Sequence, residues 1–322
     1  MNYYLKIFLI SCVTISGRAK VNIESFVKPV TLTKQQLLIK LTPYLFLFPA
    51  LFLLGIVILI PTFQAFYLSF TQYNYDLTKP SNWIGLENFY RLSQDSAFWK
   101  TLINTILYLL GVVPLLVSLP LLLAILVNNN LRGISLFRLA FYIPVIISTV
   151  VVGITWKALY SSNGLFNQML NYLGIDAIPW LTSTKMAIWS VMLVTVWKGL
   201  GYYMMIYLAG LQGISKELYE AAAIDGSDGW QKHLDITIPL MRSYILLVAV
   251  ISSISAIKTF EEVYIMTQGG PLNSSKTIVY YLYEKAFHDL DINYACTIGL
   301  VLFLIILAFS IVNLKVSTYY KK

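Results

Sequence analysis

Charge is what this sequence has least of. Asp, Glu, Lys and Arg make up only 12% of its 322 residues, where a water-soluble domain carries about 25%. A chain so short of charge cannot clothe itself in hydrated side chains, so much of its exterior faces something other than water. The mean hydropathy of +0.70 points the same way and argues against an ordinary soluble enzyme. Cysteine is nearly absent. Cys12 and Cys296 lie in or beside apolar stretches without metal-ligand spacing, which argues against a zinc site or a disulfide framework. Histidine is as scarce, and His233 and His288 are expected on opposite sides of a membrane, too far apart for a triad or a metal cluster. Asp289 and Asp291 beside His288 read as a solvated loop. No G-x-x-x-x-G-K-[ST] phosphate loop occurs, and the glycines of "KGLG" (198–201) lack that spacing. No catalytic residue, metal ligand or cofactor of its own is therefore expected in this chain. Internal repeats and strand-rich segments are missing too.

What the sequence does have is long apolar runs. About 30 Å of hydrocarbon requires roughly 20 residues of helix at 1.5 Å per residue. Six runs meet that need approximately: 43–70, 102–127, 139–160, 187–211, 238–266 and 295–312. The fold class expected is an all-α membrane protein of about six transmembrane helices. Pro61, Pro114, Pro120 and Pro144 lie in or near these runs, where neighbouring helices can satisfy the freed backbone groups. The formal charge of +8 does not indicate nucleic acid, because the cations sit in short loops and form no single basic face.

Those cations set an orientation. Lys6, Arg18, Lys20, Lys28, Lys34, Lys40, Arg132, Arg138, Lys216, Lys232, Arg242, Lys315, Lys321 and Lys322 fall on one side. Lys79, Arg91, Lys100, Lys157, Lys185, Lys276 and Lys285 fall on the other, fourteen against seven. The richer side is expected to be cytoplasmic, with both termini there. Trp83, Trp99, Trp156, Tyr160, Trp180 and Trp189 are expected as a belt near the outer ends of the spans. The start, "LKIFLISC" (5–12), has some likeness to a lipoprotein signal ending at Cys12, but the apolar stretch is short and only Lys6 precedes its core, so it reads as an interfacial or poorly ordered leader.

The most polar long run in the second half is "YEAAAIDGSDGWQKHLDITIPL" (219–240). Ser215 can cap a helix, with Glu217 placed favourably against the helix dipole. Leu218, Ala221 and Ala222 form a small-residue stripe flanked by the carboxylate of Glu220. Asp225-Gly226 is a turn pair that can close the helix through a positive φ. A second short helix follows, and Pro239 marks entry to the fifth span. Physically, this elbow suits either transmission of force from a partner or an ordinary amphipathic connector.

The stretch resembles the EAA loop of ABC-importer permeases, in Glu220, Ala221, Ala222, Asp225, Gly226, Ile236 and Pro239, with departures at Ser227, His233 and Ile238. "PALFLLGIVILIPTFQAFYLSF", "WIGLENFYRL", "FYIPVIISTVVVGITWKALY" and "YIMTQGGPLNSS" are similar to the carbohydrate-uptake, maltose-transporter-like branch, the last through Thr267, Gly269, Gly270 and Pro271. The resemblance implies the type I ABC importer permease fold in a bacterial inner membrane. It divides the chain into a cytoplasmic or interfacial segment (1–42), a first span with its outer loop (43–97), a core permease domain (98–315) holding the coupling loop (211–240), and a basic tail (316–322). It implies that Glu220, Ala221, Ala222, Asp225 and Gly226 dock on a separate ATPase. Two such ATPase subunits would bind ATP and Mg, while a second, similar permease and an extracytoplasmic solute-binding protein complete the assembly. A secondary transporter and a glycerol-phosphate-like cargo are the alternatives.

Polar side chains in a membrane span are costly and suggest a path. Ser252, Ser255, Thr259 and Glu262 share one face of a continuous fifth helix, with Lys258 to the side and Glu261 opposite. Hydroxyls backed by a carboxylate suit a polyol. Trp197, Lys198, Gly199, Tyr202 and Tyr203 of the fourth span could add stacking surface and phenol hydroxyls. Interhelical packing explains the same residues equally well.

Overall fold

In the computed structural model, described over residues 34–72, 82–128 and 133–319, the regular structure is helical apart from one isolated bridge between Thr71 and Trp83. The leader with Cys12, and the loop cations Lys79 and Arg132, lie outside these residues. The chain divides at Pro61 into two units. In the first, α1 (Lys34–Leu54) passes into a wide π-helical turn, Gly55–Leu59. Its side chains from Leu41 to Ile60, Gly55 apart, are exposed and nearly all apolar. Such a surface suits lipid or another protein and would be costly in water.

The second unit starts with α2 (Ile60–Leu68 as a helix, with Thr62 its first residue in the unit) and a short amphipathic α3 (Glu87–Gln94). Its centre is α4 (Ser96–Val127) packed along α8 (Ala187–Gln212). Tyr108, Val112 and Ala124 of α4 interleave with Val191, Val194, Met204 and Tyr207 of α8, all fully buried. Pro114 and Pro120 stay inside the unbroken α4. α5 (Ile134–Ile146) also lies on α8. Gly201 makes that approach possible, because a Cβ there would sit 2.1 Å from the Phe141 carbonyl oxygen.

Two expected spans are broken. Residues 139–160 form α5 and α6 (Thr149–Leu159), bent by 98° where Ile147 and Ser148 are extended. The Ser148 carbonyl then accepts from Val152 N to restart the helix. Residues 238–266 are divided twice. A short α10 (Ile238–Leu240), in line with a π turn over His233–Thr237, meets α11 (Arg242–Ile257) at a 60° bend. α11 then stops, and α12 (Glu261–Met266) begins after Lys258–Phe260. The two segments that follow breaks, α6 and α12, pack on each other, with Ile265 filling the space over Gly153. Four uninterrupted helical runs are long and apolar enough to cross a membrane, and each bent pair brings the count up to six.

A polar knot closes the end of the unit remote from residues 211–240. Asn88 donates to the carbonyls of Ser69 and Thr71, and Asn293, at the start of α14 (Ile292–Tyr319), donates to those of Leu68 and Thr71. Nearby, Asp95 caps α4 by accepting from Ala97 N at 2.9 Å, and also takes the hydroxyls of Tyr281 (2.5 Å) and Tyr294 (2.6 Å). The expected aromatic belt is only partly present. Trp83, Trp99 and Trp189 are exposed, but Tyr160 is 4% exposed and stacks on Trp180 while Trp156 meets Tyr160, Phe166 and Trp197. These rings are core because α7 (Leu165–Tyr172) folds Phe166 over them.

Candidate functional site

A cavity of about 660 Å³ opens between α4, α8, α11 and α12. Ser252, Ser255, Thr259 and Glu262, expected along one face of the fifth span, and Gly199 and Tyr202, expected from the fourth span, all line it. The reason differs from the one expected. The helix that would carry four of them ends at Ile257, and the irregular Lys258–Phe260 turns the chain into α12. Thr277 Oγ1 donates to the Thr259 carbonyl at 3.0 Å, holding that peptide out of the helical ladder. The break brings Lys258, Phe260 and Glu261 to the wall as well, so Glu261 does not fall opposite the stripe. Neither glycine nor proline marks this break.

The lining divides by accessibility. Ser252 is fully buried and its hydroxyl is spent on the Ala249 carbonyl at 3.2 Å. Thr259 is buried too, its Oγ1 lying 3.3 Å from Glu262 Oε2 and 3.4 Å from the Tyr108 hydroxyl, which pairs with Thr195 Oγ1 at 2.5 Å. These groups form a backing network in which every buried hydroxyl has a partner, as low-dielectric surroundings demand. Tyr202, Ser255, Lys258 and Glu261 are exposed to the lumen side. Lys198 donates to Thr149 Oγ1, tying α8 to the start of α6. Gly199 does double duty, since a Cβ there would meet Leu116 Cδ2 at 2.9 Å. Trp197 does not line the cavity; its ring packs against Trp156.

At the opposite end stands the elbow. Ser215 accepts from Glu217 N at 3.3 Å and caps α9 (Lys216–Ile224). The helix closes as a Schellman motif: Gly226 has φ +86°, its N–H meets the Ala223 carbonyl, and Ser227 N–H meets that of Ala222. Ser227 Oγ then donates to Asp235 Oδ2 at 2.6 Å, fastening the two arms. Sequence reasoning missed the knot beneath them. Thr237, fully buried, has its hydroxyl 2.9 Å from the Tyr219 hydroxyl and 3.0 Å from His233 Nδ1. Tyr219 and His233 lie too far apart in sequence for a periodicity argument to pair them. Glu220, Ala221, Asp225 and Gly226 are exposed and Ala222 half-buried, while Leu218, Ile224, Trp230 and Leu234 present apolar surface around them. A second cavity, of about 740 Å³, separates Tyr219 and Trp230 from Arg138 and Leu211. The elbow is braced within itself and stands partly clear of the helices above.

The family model described as "Binding-protein-dependent transport system inner membrane component" matches residues 89–317. A probable ABC transporter permease protein, YesP, of Bacillus subtilis is 34% identical over 287 residues, covering 87% of this chain and 91% of that protein. The arabinooligosaccharides transport system permease protein AraP of Halalkalibacterium halodurans is 33% identical over 88% of this chain and 90% of its own. The lactose transport system permease protein LacF of Rhizobium radiobacter is 34% identical over 83% and 91%. In fold, the chain is similar to a bacterial ABC transporter involved in the import of alginate. That match has a TM-score of 0.80 at 23% identity and covers 89% of this chain and 99% of the other.

Proposed function

The chain belongs to the binding-protein-dependent transport system inner membrane component family, and from that premise we propose that it forms half of the translocation path of an ATP-driven importer for a neutral sugar, oligosaccharide or glycoside. The cavity carries this reading. Its accessible wall offers a phenol at Tyr202, a hydroxyl at Ser255 and an aromatic face at Phe260, the donors, acceptors and stacking surface that a polyol requires. The lining holds two lysines, Lys198 and Lys258, and two glutamates, Glu261 and Glu262, so its formal charges cancel. An anionic cargo such as glycerol phosphate would have to pass both carboxylates. The relatives named for arabinooligosaccharide and lactose transport support the cargo class. Membership of this family speaks against a self-sufficient secondary transporter.

In this reading a second, similar permease supplies the other half of the path, and a solute-binding protein delivers cargo from outside. Two ATPase subunits bind ATP and Mg and engage Glu220, Ala221, Ala222, Asp225 and Gly226 of the elbow. The chain sits in a bacterial inner membrane with its termini and elbow cytoplasmic. ATP-driven closure of the ATPase pair moves the two elbows together and turns the cavity outward. Such a shift needs the ATPases to bind the two states with different affinity, because equal affinity moves no population.

The test is uptake of labelled lactose, arabinotriose and maltotriose by the assembled transporter in proteoliposomes. Ser255→Leu and Tyr202→Ala are expected to cut uptake roughly tenfold each, the effect of losing one or two well-placed contacts, with basal ATP hydrolysis unchanged. Unchanged uptake in both variants would remove these residues from the path.

A further inference from the structure

The cavity does not end at Phe260. That ring stacks on Tyr264 with centroids 5.3 Å apart and meets Tyr283 at 5.0 Å. Tyr264 and Tyr283 are edge to face at 5.4 Å, and Tyr283 continues to Phe287 at 5.0 Å. Phe287 is 68% exposed and Tyr264 is 38% exposed, while Tyr283 is half-buried. His288 adds its ring beside Tyr283 at 5.9 Å. The row therefore starts in the cavity wall and finishes at the surface, in the segment between the fifth and sixth spans that the cation count places outside.

Its construction is local. Phe260 and Tyr264 are four residues apart across the start of α12. Tyr283 and Phe287 are four apart where α13 (Ile278–Tyr283) runs into a π-helical turn, Glu284–His288. Each pair shares a helix face, and the two faces lie against each other. Tyr280 forms a firm back to the row. It is 6% exposed, contacts Phe260, Tyr264 and Tyr283, and has the Lys276 ammonium 5.8 Å from its ring. Lys276 is in turn held by Glu284 at 2.5 Å.

An interfacial belt requires only that rings sit at the depth of the headgroups. Here the rings touch in sequence and one of them belongs to the cavity. We infer that Phe260, Tyr264, Tyr283 and Phe287 form a binding track for carbohydrate, leading from the outer surface into the cavity. The CH face of a sugar ring stacks on each aromatic face in turn, and the Tyr264 and Tyr283 hydroxyls exchange hydrogen bonds with its OH groups. Consecutive ring centroids lie 5.0 to 5.4 Å apart, so cargo can pass from one ring to the next without full rehydration. The inference rests on the carbohydrate reading of the cavity.

The experiment uses the whole transporter, with both permeases, the ATPases and the binding protein, and the three labelled sugars named above. Tyr264→Leu, Tyr283→Leu and Phe287→Leu keep apolar bulk but remove the ring. Each is expected to lower kcat/KM for uptake by roughly three- to tenfold, the worth of one aromatic contact, with basal ATP hydrolysis and subunit stoichiometry unchanged. Tyr264→Phe and Tyr283→Phe, which keep the ring, are expected to recover most of that loss. Phe287→Leu lies at an exposed position and leaves the fold undisturbed. Uptake within twofold of the parent in all three leucine variants overturns the track and leaves the cavity reading intact. Loss of the second permease on purification also overturns it, because the rings would then be a subunit interface. If the parent transporter carries none of the three sugars, the carbohydrate reading itself falls, and the track with it.

Discussion

Asp95 holds more of the structure than its position suggests. Its carboxylate caps α4 and accepts the hydroxyls of Tyr281 and Tyr294, joining α4 to α13 and α14. Arg91 sits 4.1 Å above the Tyr294 ring and pairs with Asp291 at 2.7 Å. Burial pushes the Asp95 carboxyl up, but hydrogen bonds from Tyr281, Tyr294 and the amides of Ala97 and Phe98 outweigh that and hold it below its ordinary 3.8. A carboxylate with a depressed folded pKa stabilises the fold fully above its unfolded value, and that stabilisation disappears as pH falls through the folded value. Asp95→Asn is therefore expected to lower thermal stability in detergent at pH 7, by about 1–3 kcal/mol for hydrogen bonds to a charge. The difference from the parent should shrink below about pH 4, where the parent also loses its charge. A gap that stays constant from pH 7 to pH 3 would show that the carboxylate charge is not what matters. This role has no local signal in the sequence, because the two phenol partners lie 186 and 199 positions away.

Elements were legible where local chemistry makes them and illegible where a distant group does. Ser215 and Gly226 announce the ends of α9, and both act as their residue types require. The apolar runs gave the long helices nearly end to end. The break between α11 and α12 has no such marker, since Lys258, Thr259 and Phe260 are all compatible with helix. It depends on Thr277, whose hydroxyl takes the Thr259 carbonyl at 3.0 Å across 18 residues. The four polar residues of the stripe thus line one cavity, but not along the continuous helix face expected. Thr277→Val, nearly isosteric, leaves the buried Thr259 carbonyl without that donor, and is expected to cost about 1–3 kcal/mol. Hydrogen exchange should report it as loss of protection confined to residues 257–267. If protection there is unchanged, the break is set by the backbone itself and Thr277 only fills space.

For the molecule as a whole, the cavity and the elbow are joined through continuous elements, which a transport cycle needs. α8 carries Tyr202 at the cavity and runs on to Gln212, four residues before α9 begins. From the elbow's second arm, α10 leads across the 60° bend into α11 with Ser252 and Ser255. A push on α9 therefore reaches the cavity by two routes. The elbow is tied across its own arms by Ser227–Asp235 and Tyr219–Thr237, so it can move as one body. Its exposed Leu218, Ile224, Trp230 and Leu234 add apolar surface to the element that carries Glu220, and exposed apolar surface of this kind marks a site of protein contact. Glu220→Lys reverses the charge at an exposed position that makes no side-chain hydrogen bond or ion pair among the described residues. Gly226→Pro imposes a φ near −65° where the chain has +86° and removes the N–H that meets the Ala223 carbonyl. Both variants are expected to reduce co-purification of the ATPase at least tenfold, Glu220→Lys without loss of folded permease and Gly226→Pro with local unfolding of the elbow. Uptake should fall in proportion to the ATPase retained. If Glu220→Lys keeps its full complement of ATPase, the acidic position is not part of the joint. If the purified chain alone concentrates sugar in vesicles, the elbow is not a joint at all, and the energy must enter by a route independent of any ATPase.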